Sequence, residues 1–263
     1  MTTSMNRPIF VVGCQRSGTT LLRLMLDSHP RISCGPETKF LFDFADLAER
    51  TRLYGLPDEY WNRKIADFFD SFQTDYARAR GKVRWAAKTP RYALLLDFID
   101  DLFPTCQIVH VIRDGRDVVA SHRHRWGYAS GLKAVVKWPR YIHTVRRFAE
   151  TLPAQRYHEV RYEALVTDPE AVMRRLLDFL GEPWDSAVLE HDKAPHDVNE
   201  KYAAFTSSRR EASTGEALVY RSRVGGHKKE MGPLVRALFR FQGTRTLREL
   251  GYVKTRASSS DRA

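Results

Sequence analysis

The stretch "PIFVVGCQRSGTTLLRLML" constrains this chain more than any other. Residues 8–13 are a continuous apolar run ending on glycine, the pattern of a strand buried on both faces. Gly13 and Gly18 then bracket a tight turn, and Leu21, Leu22, Met25 and Leu26 follow at helical spacing. Strand, glycine turn and helix in that order make an anion site, because the N–H groups of the turn and of the helix N-terminus converge. The loop has the outline G-x-x-x-x-G-K-[S/T], yet Thr19 stands where a nucleoside-triphosphate enzyme carries the lysine that reaches the outer phosphates. A cation remains as Arg16, three positions upstream, beside Ser17, and Thr19 and Thr20 add hydroxyl donors in the first helical turn. Such a loop suits a 5′-phosphate bearing one further anionic group. It suits a phosphate chain with magnesium less well.

The same unit recurs at "CQIVHVIRDGRDVVASHRHRW", where residues 106–114 read as the strongest strand and a helix starts after Gly115. This second turn carries Arg113, Arg116, Ser121 and Arg125. Arg113 ends the strand and Ser121 lies two helical turns in, so both can reach a second phosphate, with arginine giving a two-pronged grip. The plainer alternative is a basic helix start paired to Asp114 and Asp117. His122 and His124 read as pocket-edge or surface residues.

Further strands are expected at 82–88 and 156–165, the latter putting Tyr162 on a strand. Helices are expected at 58–79, with Trp61, Ile65, Phe68, Phe69 and Phe72 along one face, and at 92–103, 131–151 and 168–181. Another follows a turn at Gly35-Pro36. Strands separated by helices imply right-handed crossovers and an α/β fold: a P-loop-type parallel sheet flanked by helices on both faces. One domain over residues 1–255 is expected, with a polar loop at about 192–230 and a disordered tail at 256–263.

The chain has 43 Lys and Arg against 32 Asp and Glu, a formal net charge of +11, which favours anionic partners. No run of five or more basic residues appears, so one concentrated anion pocket is a better account than a nucleic-acid surface. Cys14, Cys34 and Cys106 are odd in number and form no C-x-x-C pair, which argues against a disulfide framework and a zinc site and points to a reducing, cytoplasmic setting. No window approaches the roughly 18 apolar residues of a membrane span.

"QRSGTTLL" followed by "VIRDGRDVVAS" resembles the sulfotransferases that use 3′-phosphoadenosine 5′-phosphosulfate (PAPS). "KTP" at residues 88–90 and "VRYEALVTDPEAVMRRLLDFLG" extend the resemblance, and "YRSRVGGHKKEM" does so more loosely. The resemblance implies that Arg16, Ser17, Gly18, Thr19 and Thr20 bind the 5′-phosphosulfate and that Arg113 and Ser121 bind the 3′-phosphate. It implies that Tyr162 helps hold the adenosine end, and that Arg223 and Gly225 close over the 3′-phosphate. Family members acting on small phenols and steroids carry a histidine base in a K-T-H-x-P-like stretch, where this chain has Pro90. The tyrosylprotein and carbohydrate-type branch uses a glutamate in a context like "PETKF", which points to Glu37 as general base. Lys88 and Arg16 would stabilise the oxygen that leaves with adenosine 3′,5′-bisphosphate, without a metal.

The implied acceptor is a hydroxyl on a sugar, glycolipid, phenol or tyrosine, or secondary metabolite, with residues 40–80, 126–150 and 190–225 lining its pocket. The lack of a membrane anchor suggests a soluble bacterial enzyme, with room for peripheral membrane contact. Two rivals remain. A P-loop small-molecule kinase would need a lysine at position 19 and a magnesium-holding carboxylate, for which Asp114 is the candidate. A basic nucleic-acid-binding domain rests on the net charge alone, since Trp61, Phe68, Phe72 and Trp138 have the spacing of core residues rather than stacking platforms.

Overall fold

The computed structural model describes residues 7–194, 196 and 224–253. Five strands lie parallel in one sheet: β1 (Ile9–Gly13), β2 (Ile32–Cys34), β3 (Arg84–Lys88), β4 (Gln107–Ile112) and β5 (Tyr157–Arg161), in the order β2-β3-β1-β4-β5. Between and after them come α1 (Thr19–Ser28), α2 (Leu41–Thr51), α3 (Asp58–Ala79), α4 (Leu96–Leu102), α5 (Gly115–Trp126), α6 (Tyr128–Ala149), α7 (Tyr162–Thr167), α8 (Pro169–Leu180), α9 (His227–Glu230), α10 (Pro233–Gln242) and α11 (Thr244–Glu249).

The two-residue alternation of β1 divides the core. Ile9 and Val11 pack with Leu22, Met25 and Leu26 of α1 and with Leu165, Met173 and Leu177 of α7 and α8. Phe10 and Val12 pack on the opposite face with residues of α2 to α6 and α10. Phe10 is fully buried with Trp85 edge-on at 5.6 Å and Phe103 at 5.6 Å. Burying a side chain of this size contributes roughly 1.5–3 kcal/mol. β1 is the central strand, with Val11 beside Lys88 of β3 and beside Val109 of β4. Its carboxyl end is therefore flanked by the carboxyl ends of two neighbours, where open parallel sheets place their ligands.

One strand is added to those expected, and three expectations are corrected. β2 is a strand of three residues, too short to show a pattern, at the sheet edge before the Gly35-Pro36 turn. The strand expected at 156–165 ends at Arg161, and Tyr162 opens a helix, because Tyr162, Leu165 and Val166 are buried at helical spacing. Phe68 and Phe72 of α3 are 54% and 44% exposed; the buried face runs through Ile65, Phe69, Gln73 and Ala77. Residues 90–102 divide into a 3-10 turn (Pro90–Leu94) and α4 rather than one helix. The tail at 256–263 and most of the loop expected at 192–230 lie outside the described residues. Among those that are described, no helix is long and apolar enough to cross a membrane.

His110 on β4 is fully buried and donates through Nδ1–H to the Tyr157 hydroxyl at 2.9 Å, which donates in turn to Glu159 at 2.8 Å. Burial drives the His110 pKa down to about 3 and that of His122 down to about 4. Both rings are neutral in the folded protein where the unfolded chain is already protonating, from about pH 6.5 downward. The unfolded state then binds more protons, so stability falls progressively as pH drops from about 6.5 toward 3. Urea midpoints across that range should show the fall, and His110→Gln should show a shallower one.

Candidate active site

The turn from β1 to α1 builds the first half of the site. Gly18 is the N-cap of α1 in the left-handed region (φ 98°), and neither a side-chain cap nor an acid occupies the first turn. The N-terminal N–H groups and partial positive charge of α1 are thus left without a side-chain counterpart. Ser17 is fully buried, its N–H donates to the Cys14 carbonyl at 3.1 Å, and its Oγ has no hydrogen-bond partner among the described residues. A buried hydroxyl in that condition is costly unless a ligand satisfies it. Thr19 is buried and Thr20 half-buried beside it. An anion fits this pocket.

The second half is joined to the first. Arg113, at the end of β4, donates from a guanidinium nitrogen to the Arg16 carbonyl at 3.2 Å. Arg16 donates from Nε to Ser121 Oγ on α5 at 3.0 Å. The two loops expected to hold opposite ends of one ligand are therefore bonded directly to each other. The Tyr162 ring lies beneath the Arg113 guanidinium at 4.3 Å, a cation–π contact, and fills the space beside Gly18. A Cβ on Gly18 would lie 2.2 Å from a Tyr162 ring carbon. Trp138 of α6 fixes the far side by donating from Nε1 to the Arg113 carbonyl at 3.0 Å.

Lys88 enters from the end of β3. Its ammonium is buried and holds Glu37 Oε1 at 2.6 Å, while Glu37 Oε2 lies 3.9 Å from Lys39 Nζ. Burial pulls the Lys88 pKa below its ordinary value, with the Glu37 charge opposing the shift. The loop bearing Glu37 is pinned by the Tyr92 hydroxyl, 3.1 Å from Thr38 Oγ1. In front of Glu37 opens a cleft of about 270 Å³ lined by Gln15, Lys39, Phe42, Asp43, Thr89, Pro90 and Arg91. The cleft is lined by Glu37, which the buried Lys88 ammonium holds, and by Gln15, directly before Arg16 of the anion loop; a carboxylate so placed can take the proton of a hydroxyl that enters the cleft.

The model of the sulfotransferase family matches residues 8–186, two strand–loop–helix units and the strand bearing Lys88 among them. The chain belongs to the sulfotransferase family. Protein-tyrosine sulfotransferase A of Caenorhabditis elegans is 31% identical over 201 residues, covering 70% of this chain and 52% of the relative. Protein-tyrosine sulfotransferase 1 of Homo sapiens is likewise 31% identical over 201 residues, with 70% and 54% covered. The chain spans about half the length of the curated relatives it matches. A solved sulfotransferase domain from the curacin biosynthetic pathway has the same fold, with a TM-score of 0.69 at 20% identity and 95% and 99% of the two chains covered.

Within this sulfotransferase-family chain, Arg16, Ser17, Gly18, Thr19, Thr20, Lys88, Glu37, Arg113, Ser121 and Tyr162 all come from the carboxyl ends of β1, β3, β4 and β5 or from the loop after β2. Gly225 also reaches this region: its N–H donates to Asp117 of α5 at 2.7 Å. Arg223 lies outside the described residues. His122 is corrected, being buried rather than at the pocket edge, with Nε2 donating to the Gln15 carbonyl at 3.3 Å and Nδ1 accepting from Ser130 Oγ at 3.1 Å. A neutral ring serves both bonds, in keeping with its lowered pKa, and it ties the anion loop to α5 and α6. His124 is exposed, as expected.

Arg116 pairs with Asp114 at 2.6 Å, so the carboxylate offered as a magnesium ligand in the kinase alternative is committed elsewhere. Among the described residues, no group of three or more His, Cys, Asp or Glu could hold a metal ion. Trp138 is fully buried in the core and does not line the cleft. Sequence reasoning missed Gln15 and Arg91, which adjoin the motifs at 16–20 and 88–90 and were within reach; Asp117 was expected beside the basic helix start and lies 4.0 Å from Arg113, but its partners more than 100 residues away were not foreseen.

Gly18→Ala tests the loop directly. The left-handed backbone and the Tyr162 ring both oppose a methyl group there, at a cost of roughly 1–3 kcal/mol. Calorimetry should find adenosine 3′,5′-bisphosphate bound about tenfold or more weakly.

Proposed function

We propose that this protein transfers a sulfuryl group from PAPS to a hydroxyl acceptor, with Glu37 as general base. The observation that carries the reading is the direct link between the two anion loops, Arg113 to the Arg16 carbonyl and Arg16 to Ser121. Loops joined in this way can be bridged by one adenosine carrying charge at both its 5′ and 3′ positions. PAPS, when bound, supplies the sulfuryl group, which passes in line to the acceptor oxygen with release of adenosine 3′,5′-bisphosphate.

The chain's own residues hold the charges around that exchange. Ser17, Gly18, Thr19 and Thr20 offer the uncapped N–H groups of α1 and hydroxyls to the 5′ end, and Arg16 adds a positive charge. Arg113 and Ser121 hold the 3′-phosphate, and Tyr162 keeps the Arg113 guanidinium in place from below. Lys88 holds Glu37 Oε1, which leaves Oε2 to accept the hydroxyl proton in the cleft. The lowered pKa of Lys88 makes its ammonium the better hydrogen-bond and proton donor toward the leaving phosphate oxygen.

For the acceptor, the relatives named as protein-tyrosine sulfotransferases favour a phenolic hydroxyl on a tyrosine side chain, within the broader class of sugar, lipid and small-molecule hydroxyls. The cleft beside Glu37 is consistent with an aromatic acceptor, since Phe42 lines it with the Arg91 guanidinium stacked on its ring at 4.6 Å. The three cysteines are free and buried, which supports a reducing, cytoplasmic setting.

Two variants separate the roles. Glu37→Gln should lower kcat by about 10²-fold or more while bisphosphate affinity stays within about twofold, measured by sulfuryl transfer to a tyrosine peptide or phenol and by calorimetry. A variant that turns over normally would reassign the base. Arg113→Ala should weaken bisphosphate binding by about tenfold or more with an unaltered circular dichroism spectrum. Unchanged affinity there would remove Arg113 from the 3′-phosphate site.

A further inference from the structure

Residues 113, 117 and 121 stand four apart, so Arg113, Asp117 and Ser121 follow one side of the β4–α5 junction and α5. The outer two hold the 3′-phosphate in the reading above. A carboxylate between two anion-binding groups repels the anion they bind, so Asp117 needs a reason to be there. It is 3% exposed, and its oxygens are turned to another part of the chain.

Oδ2 accepts the Gly225 N–H at 2.7 Å. Oδ1 accepts the His227 N–H at 2.9 Å and His227 Nδ1–H at 2.7 Å. The Arg113 guanidinium lies 4.0 Å from Oδ2. Burial pushes the Asp117 pKa up, but hydrogen bonds from His227 and Gly225 and the charge of Arg113 outweigh it and hold the carboxyl below its usual value. Asp117 is therefore a carboxylate saturated by donors, which screens its charge from a neighbouring phosphate.

Its three hydrogen bonds also join a segment 108 to 110 residues away in sequence to the helix that bears Ser121. Gly225 takes the left-handed conformation (φ +77°) that turns its N–H to Asp117. His227 then opens α9, and Met231 after it is buried in the core. In sequence, Arg223 stands two residues before Gly225 and Lys228 directly follows His227, so this anchor sits between two cationic positions.

We infer that Asp117 is a positioning residue that docks the segment beginning at Val224 beside Arg113, so that the 3′-phosphate subsite is complete only while its bonds to Gly225 and His227 are made. The inference rests on the cofactor reading above and adds a mechanism to it: recognition of the 3′-phosphate depends on a docking equilibrium set by a carboxylate that does not touch the ligand. Opening of the segment lowers apparent affinity by the fraction of molecules left open.

The test compares adenosine 3′,5′-bisphosphate with adenosine 5′-phosphate by calorimetry on the full chain, as wild type, Asp117→Asn and His227→Gln. Asn keeps the shape but cannot accept from both Gly225 and His227. Asp117→Asn should lose about tenfold or more in affinity for the bisphosphate and no more than about twofold for the 5′-phosphate. His227→Gln should lose selectivity in the same direction and by less. Equal losses for the two ligands, or no loss, would make Asp117 a fold-stabilising residue only and overturn the inference. If Asp117→Asn does not fold, His227→Gln decides alone, and unchanged selectivity in it is the overturning result. A wild type that binds both ligands equally would instead defeat the cofactor reading, which these comparisons tell apart.

Discussion

The hydrogen bond from Arg113 to the Arg16 carbonyl ties together two loops that the sheet only brings near. β1 and β4 are neighbours in register, with Gly13 beside Val111, so the turns that follow them begin side by side. Sheet pairing does not by itself aim either turn. Arg113 spans the gap to the Arg16 carbonyl, Arg16 returns a bond to Ser121, and Tyr162 supports Arg113 from the end of β5. Three successive strands thus fix one cationic surface. A site held this way is largely preorganised, so binding need not order the loops first.

The partners around that surface differ in what they can give up. Lys88 is buried, and its attraction to Glu37 must offset the loss of hydration. Glu37 is about one-third exposed to the cleft, so in the proposed reaction it would turn between Lys88 and a hydroxyl at small solvation cost. A buried donor paired with a partly exposed acceptor lets the ammonium stay in place while the carboxylate exchanges partners. The reverse arrangement would anchor the carboxylate proposed as base and leave the ammonium free to move.

The parts of this molecule visible in the sequence are those written in short-range pattern. The runs ending at Gly13 and Arg113, and the helices after them, announce themselves by apolar continuity, glycine and helical spacing. β2 does not, because three residues on an edge carry no period. The stretch 156–165 is expected as a strand through Tyr162; the helix that Tyr162 opens is chosen by burial of Leu165 and Val166 and by Glu163, which accepts the Asp114 N–H at 2.8 Å. His122 reads as a pocket-edge or surface residue among the polar neighbours of "SHRHRW", but its partners, Gln15 and Ser130, come from a separate loop and a separate helix. Asp117 and Gly225 are both visible in the sequence, but the bonds that join Asp117 to Gly225 and His227, more than 100 residues away, appear only in three dimensions.

Arg16 shows how one residue can serve both local geometry and long-range contact. It is the only non-glycine residue with positive φ among the described residues, at 75°. The left-handed conformation costs roughly 1–2 kcal/mol for a residue with a Cβ. Glycine would remove that cost but would also remove the guanidinium that reaches Ser121. The carbonyl of Arg16 accepts from Arg113, its side chain donates to Ser121, and Trp126 lies 5.6 Å from its charge. A net hydrogen bond contributes about 0.5–1.5 kcal/mol, more with a charged partner, so these contacts are of the size needed to hold the strained turn. The loop therefore keeps a cation where it dropped the lysine, and the strain persists because the second loop holds it from both ends.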